Sequence, residues 1–309
     1  MCLAIDLASG GMPLSEFGQS DGSPDSSLPN IWGARTRGVE APRVRALEFV
    51  RRMRGASQPW LVRCEDGGCY VVKFQNNPQH TRVLANEMLA WRLARGIELP
   101  VANAAFIEVP LSLLNNHPQL AFDIGERREP IRPGVQFGSR FPGIPSQTLV
   151  VDFLPDRLLR RVKNLTSVFL GALVFDKWTC NCDGRQAIFH RRTDDEGSSY
   201  SVAMIDHGFC FNDGDWTFPD SPIRGFYPRR LVYEKVKGLE SFEPFLSRVE
   251  SVTTRELEEC AKGIPTPWCE PDAGQLARLM ETLYVRRRKV RQALIDAKNS
   301  VLAPFPNWG

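Results

Sequence analysis

The sequence predicts an α+β protein in two lobes, a small antiparallel β-rich lobe followed by a larger, mainly helical one. Three observations carry this prediction. Short β-branched and aromatic runs joined by glycine turns, such as Pro59 to Cys64 and Cys69 to Phe74 around Glu65-Asp66-Gly67-Gly68, lie in the first half. Capped helical patterns dominate the last third. Between them Leu165 to Trp178 is almost wholly apolar, which suits a helix at the heart of a second core. The expected boundaries are a flexible tail over residues 1–40, a first lobe over 41–154, a second over 155–300 and a short polar tail over 301–309.

A chain of 309 residues is long enough to bury two cores. Apolar residues at 42% and charged residues at 24% are ordinary for a globular protein. A net charge of +3 argues against nucleic acid as a partner, and the run Arg286-Arg-Arg-Lys289 reads as a solvated helix face. The eight cysteines are scattered and form no paired C-x-x-C units, which excludes the usual zinc modules. With no membrane-length apolar stretch and no secretory leader, the expectation is a cytoplasmic protein without a membrane partner.

Residues up to Gly38 are rich in Ser, Gly, Asp and Pro, too polar to order themselves. Val44 to Met53 places its apolar residues at helical or mixed spacing. In the hairpin that follows, Tyr70-Val-Val-Lys73-Phe74 sets one lysine among apolar neighbours, where an ammonium group needs an opposite charge. The helix expected over Thr81 to Arg95 supplies Glu87. In kinases, a strand lysine that holds nucleotide phosphates is oriented by such a helix glutamate.

Val101 to Val109 reads as another strand of the same sheet. The proline-punctuated stretch Leu111 to Ser146 contains Pro133-Gly-Val-Gln-Phe-Gly-Ser-Arg140, either an irregular insertion, the preferred reading, or a phosphate-gripping loop that would use Ser139 and Arg140. Gln147 to Pro155 is a β run stopped by proline and is the expected link between lobes. Adenine would then meet backbone at Val151, Asp152 and Phe153.

Phe175 to Gly208 organises the rest. An apolar helix end leads into a polar loop with Asn181, Asp183, Arg185 and Gln186, then a strand over Ala187 to His190, a turn, and a second strand over Ser201 to Ile205 ending at Asp206. A hairpin brings its ends together, so Asp183 and Asp206 should share one rim. Two carboxylates beside an amide suit a hard divalent cation such as magnesium, shared with substrate phosphates, and so suit phosphoryl transfer. Phe209 to Arg224, aromatic and acidic with Asp213, Asp215 and Asp220, reads as a packed loop beside that site. Helices are expected over Leu231 to Lys237, Phe242 to Ser251, Thr254 to Lys262 and Asp272 to Lys298, with cap signals at Thr253-Thr-Arg-Glu256 and Pro271-Asp272.

Tyr70-Val-Val-Lys73, Asn86-Glu87, Phe175 to Phe189, Met204-Ile-Asp206-His-Gly208, Ile264-Pro-Thr-Pro-Trp268 and Leu283-Tyr-Val-Arg-Arg287 together resemble the HipA-like kinases of bacteria, distant relatives of protein kinases and phosphatidylinositol kinases. The resemblance spans Arg45 to Ala297. It implies a protein-kinase-like fold and a kinase that uses ATP and Mg2+ to phosphorylate a hydroxyl-bearing acceptor, with Ser or Thr of a protein expected. It also implies that Lys73 binds the ATP phosphates, Glu87 orients Lys73, Asp183 is the catalytic acid-base group and Asp206 binds metal. The pattern departs at two positions. The metal-binding Asn expected five residues after Asp183 is Ile188, which passes the role to Gln186, and Arg185 stands where a His is usual. A second register would make Asp176 catalytic with Asn181 five residues on, but Asp176 lies inside the apolar helix. The alternatives are a nucleotide-binding pseudokinase acting as an interaction module and a small-molecule phosphotransferase.

Overall fold

The computed structural model describes residues 40–309 except 118, 196, 198 and 271–273. The expected N-terminal tail and the Pro271-Asp272 cap therefore lie outside the described residues. Strands β1 (Arg43–Arg52), β2 (Trp60–Cys64), β3 (Cys69–Lys73), β4 (Ala104–Val109) and β7 (Gly134–Arg140) form a closed barrel in the order β1-β2-β3-β7-β4. Neighbours are antiparallel except β1 and β4, whose parallel pairing closes the barrel. Helix α1 (Val83–Gly96) follows β3, and α2 (Leu111–Asn115) with the hairpin β5 (Ala121–Ile124) and β6 (Arg127–Pro130) fills the interval before β7.

Two features of the barrel differ from the sequence expectation, each for a definable reason. Val44 to Met53, whose apolar spacing is helical or mixed, contributes a strand. Register shifts between Ala46 and Glu48 and between Phe49 and Arg51 move the inward face from Val44 and Ala46 to Phe49, so a bulged strand mimics helical spacing. The segment Gly134 to Arg140 is an interior barrel strand rather than an irregular insertion. Gly138 permits this, since a Cβ there would overlap the Ile107 side chain of β4.

A second sheet of three antiparallel strands has the order β10 (Ser201–Ile205), β9 (Gln186–Arg192), β8 (Thr148–Val151). Because β8 pairs with β9, the chain leaves the barrel before β8, over Phe141-Pro-Gly-Ile-Pro-Ser-Gln147. The crossover thus lies one strand earlier than expected, where two prolines bar further pairing.

The helical part comprises α3 (Asp156–Leu159), α4 (Leu165–Thr179), α5 (Phe245–Glu250), α6 (Thr254–Ala261), α7 (Gln275–Arg286) and α8 (Val290–Lys298). The first expected C-terminal helix is only a 3-10 turn over Arg230–Tyr233, and the last is interrupted around Arg287 to Lys289. Thr253 caps α6 with the reciprocal Thr253–Glu256 box that its sequence announces. Helix α4 is buried without a break from Val168 to Thr179. Its C-terminal carbonyls are held by Arg286, which donates to Lys177 O and Trp178 O at 3.0 Å each and pairs with Asp220. Arg287 is also buried and donates to Glu250 O and Tyr284 O. Half of the basic run is therefore structural, a cation at a helix C-terminus, and not a solvated face. Within the C-terminal tail, Phe305 is buried among Phe226, Tyr233, Phe242 and Trp308.

Candidate functional site

Barrel, α1 and second sheet meet around a cavity of about 300 Å³. Lys73, Glu87, Asp183, Gln186 and Asp206 all line it. Lys73 closes β3 and donates from Nζ to Glu87 Oε1 at 2.5 Å and to Asp206 Oδ1 at 2.7 Å. Glu87 comes from the middle of α1 and accepts two further hydrogen bonds, from the backbone N–H groups of His207 and Gly208 at 3.1 Å each. Asp206 follows β10 with φ +58°, a left-handed turn that ends the strand and aims the carboxylate at the lysine.

These contacts set the charges. Burial opposes the ammonium of Lys73, but Asp206 and Glu87 outweigh it and raise its pKa, so it stays protonated. Burial also works against the Asp206 carboxylate, yet Lys73 holds its pKa below the usual range. For Glu87 burial prevails over Lys73 and pushes the pKa up. The trio thus has one firm cation, one firm anion and a glutamate of raised proton affinity.

The loop between α4 and β9 presents Asp183. Cys180 turns out of the helix with φ +52°, and Asn181 is buried, donating to Asp176 Oδ1 while its Oδ1 accepts from Asp183 N at 3.1 Å. Asp183 is exposed to the cavity and accepts from Gly184 N at 2.7 Å. Gln186 pairs in register with Ile205, which brings its amide beside Asp206 and 3.5 Å from Asp183 Oδ2. The hairpin therefore does place both aspartates and one amide on one rim.

Asp176 does not face this cavity. It is buried in α4 and gripped by both Arg185 Nε, at 2.9 Å, and a terminal nitrogen of Arg185. Arg185 also donates to Ile205 O and His207 Nδ1 at 3.1 Å each. Burial lowers the pKa of His207, and the charges of Arg185 and Lys73 lower it further, so the ring is neutral with its proton on Nε2. Arg185 thus ties α4 to the strand end that carries Asp206.

Val151, Asp152 and Phe153 do not line the cavity. They fall after the crossover, and the Phe153 ring is exposed beneath Arg229. Val150 lines it instead, with Ser139, Arg140, Phe141 and Pro142 at the crossover. A second stretch missed by sequence reasoning is the β1–β2 connection, where Arg54 to Ser57 also lines the cavity; Gly55, with φ +129°, was the available signal. Asn86, next to Glu87, donates to Gly208 O, Cys210 O and Asp213 O and accepts from Trp216 Nε1, so the segment after Asp206 is packed on α1. Asp213 lies 3.0 Å from His80 and Asp220 pairs with Arg286.

Among the described residues no helix is long and apolar enough to cross a membrane, and no cluster of three His, Cys, Asp or Glu could hold a metal by itself. A family described as HipA-like kinase matches residues 47–294. No curated protein matches the chain. Similar solved structures include the Golgi casein kinase with Mn and ADP bound, at 12% identity over 85% of this chain and 75% of that one with a TM-score of 0.47. They also include the Helicobacter pylori proinflammatory kinase CtkA, at 14% identity over 85% and 99% with a TM-score of 0.48. A third is HipA of a Shewanella oneidensis MR-1 toxin–antitoxin system in complex with HipB and operator DNA, at 14% identity over 75% and 61% with a TM-score of 0.36.

Proposed function

We propose that this chain, which belongs to the HipA-like kinase family, transfers the γ-phosphoryl group of ATP to the hydroxyl of a Ser or Thr on a protein. The observation that carries this reading is the convergence of Lys73, Asp183 and Asp206, from three separate elements, on one cavity. In this reading Lys73 holds the phosphates, oriented by Glu87. Asp183 orients the acceptor hydroxyl and takes its proton. The base packs between barrel and second sheet against Val71, Val150 and Ile188, with its edge toward the crossover backbone at Arg140 to Pro142.

The donor set fits magnesium. Asp206 and Gln186 are hard oxygen donors, and two residues are enough for an ion that takes its remaining ligands from phosphates and water. Rotating the Gln186 amide would present its oxygen. Magnesium bound there would offset the negative charge on the β- and γ-phosphates. Incubation with labelled ATP and magnesium, alone and with cell extract, should label a protein band, and Asp206→Ala should abolish the label while leaving the fold intact. Equal ATP consumption by that variant and the wild type would refute the assignment.

A specific observation supports a second reading, the nucleotide-binding pseudokinase. Asp206 is committed to Lys73 at 2.7 Å, and Gln186 stands in for the expected Asn. ATP binding in a thermal-shift titration without any phosphotransfer would select it. A small-molecule acceptor is the third reading, distinguished by label appearing in the low-molecular-weight fraction only.

A further inference from the structure

Two loops bound the lysine end of the cavity, and both are tied to one hairpin. Trp60 pairs with Val72, so the connection from β1 to β2 emerges beside Lys73, and its residues Arg54 to Ser57 line the cavity. The loop after β3 brings Gln79 into the same wall. Between Met53 and Pro59 the β1–β2 loop makes two backbone hydrogen bonds of its own among the described residues, Met53 N to Pro59 O at 2.8 Å and Gln58 N to Gly55 O at 3.0 Å. With Gly55 at φ +129°, two such bonds alone would leave it many conformations.

The position of the loop is set from outside. Gln58, held at φ +45°, turns its amide onto Asp123 of β5, donating from Nε2 to Asp123 O at 2.8 Å and accepting at Oε1 from Asp123 N at 2.9 Å. A side-chain amide thus pairs with backbone as a neighbouring strand would. Arg52 braces the pair, donating to Asp123 Oδ2 at 2.6 Å and to Gln58 Oε1. On the other flank Asn76 donates to Glu129 Oε1 at 3.0 Å and Pro130 O at 2.9 Å, and accepts from Arg132 N at 3.2 Å. Asn77 joins the two loops, donating to Ser57 O at 3.1 Å while its Oδ1 accepts from Gln79 N at 3.0 Å. The hairpin itself is seated in the barrel core, because Phe122 is buried against Phe74, and the next residue, Asp123, turns outward to Gln58.

We propose that β5 and β6 are a clasp for the phosphate end of the cavity, with Gln58 and Asn77 as positioning residues that hold the β1–β2 loop ready for a nucleoside triphosphate. The inference rests on the nucleotide reading above. Neither Gln58 nor Asn77 lines the cavity, so both act through the loop. Lys73 supplies charge for the phosphates, and the clasp keeps the loop beside it ordered before the ligand arrives. An ordered loop loses little entropy on binding, so its contacts count more fully toward affinity.

The test compares the full-length wild type with Gln58→Ala by calorimetric titration with ATP and magnesium and by amide hydrogen exchange. The variant should bind ATP roughly 5–100-fold more weakly, the equivalent of the two net hydrogen bonds removed. Exchange should accelerate over residues 54–58 while α1 and α4 keep their wild-type protection. Asn77→Ala, which frees the loop from its other side, should show the same pair of effects. If Gln58→Ala does not fold, Arg52→Met, an exposed change that removes the brace, takes its place. Faster loop exchange with wild-type ATP affinity overturns the clasp and leaves the nucleotide reading standing. Weaker binding with loop exchange unchanged, or with exchange raised throughout the protein, does the same. A wild type that binds no ATP overturns both.

Discussion

Two buried charge clusters stand on either side of the loop between α4 and β9, and they are built differently. Behind the loop, Asp176 and Arg185 match one negative charge with one positive charge, and the guanidinium spends its remaining donors on Ile205 O and His207. In front of it, Lys73 is divided between Glu87 and Asp206, so one cation faces two carboxyl groups at the wall of a cavity. The rear cluster is closed and its partners are fixed. The front cluster has acceptor capacity to spare and is open to a ligand. Fixed charge positions the loop; unsatisfied charge is what an incoming cation or phosphate can exchange with.

That contrast can be broken by mutation. The largest effect is expected in front, where Asp206→Asn should lower phosphotransfer by about 10²–10³-fold or more with little change in melting temperature. Asp183→Asn should cost about 10²–10⁴-fold in turnover, the usual range for general acid–base groups, and should leave ATP affinity nearly intact in a binding titration. Wild-type turnover in either variant would remove the functional half of the comparison.

Behind the loop the same kind of change should act on stability. Arg185→Met strands a buried carboxylate and should destabilise the protein by about 3–5 kcal/mol in chemical denaturation, whereas the double change Asp176→Leu with Arg185→Met should recover most of that loss. A double variant as unstable as the single would show that the pair is not self-contained.

A smaller, pH-dependent effect sharpens the picture away from both clusters. Burial alone lowers the pKa of His190 on β9 from 6.5 to about 4. The unfolded chain then takes up the proton first, so stability should fall as pH drops from about 6.5 to about 4. Over that window His190→Gln should lose about 2–3 kcal/mol less than the wild type, read from denaturation midpoints at several pH values. The smallest change belongs at the surface. Thr253→Ala removes the capping box of α6 and should cost about 1 kcal/mol with phosphotransfer untouched.

Local chemistry made much of this legible. Asp66-Gly67 closes the β2–β3 hairpin with Gly67 at φ +74°, and the alternation of Ala187 to His190 against Ser201 to Ile205 fixes the register that brings Asp183, Gln186 and Asp206 together. Lys73 and Glu87 were legible because an ammonium among β-branched residues requires a partner, and the next helix offers one. Three things were not legible. The bulges in β1 are set by pairing with β2, a non-local event that shifts the apolar period. Strand β7 is defined by two partners distant in sequence, so its glycines read locally as a loop. Arg286 and Arg287 look solvated because the carbonyls they hold, from Lys177, Trp178 and Glu250, come from other helices.

Glu87 joins two duties that are separable in principle. One carboxylate holds the lysine and also latches the backbone at His207 and Gly208, while the neighbouring Asn86 secures Gly208, Cys210 and Asp213. The other side of the same helix is moored by Arg92 to the carbonyls of Cys260 and Lys262 at the end of α6. A small outward slide of α1 would therefore leave the lysine to Asp206 alone and unfasten the segment after Asp206 in a single movement. Arg92 thereby ties the end of α6 to the helix that carries Glu87.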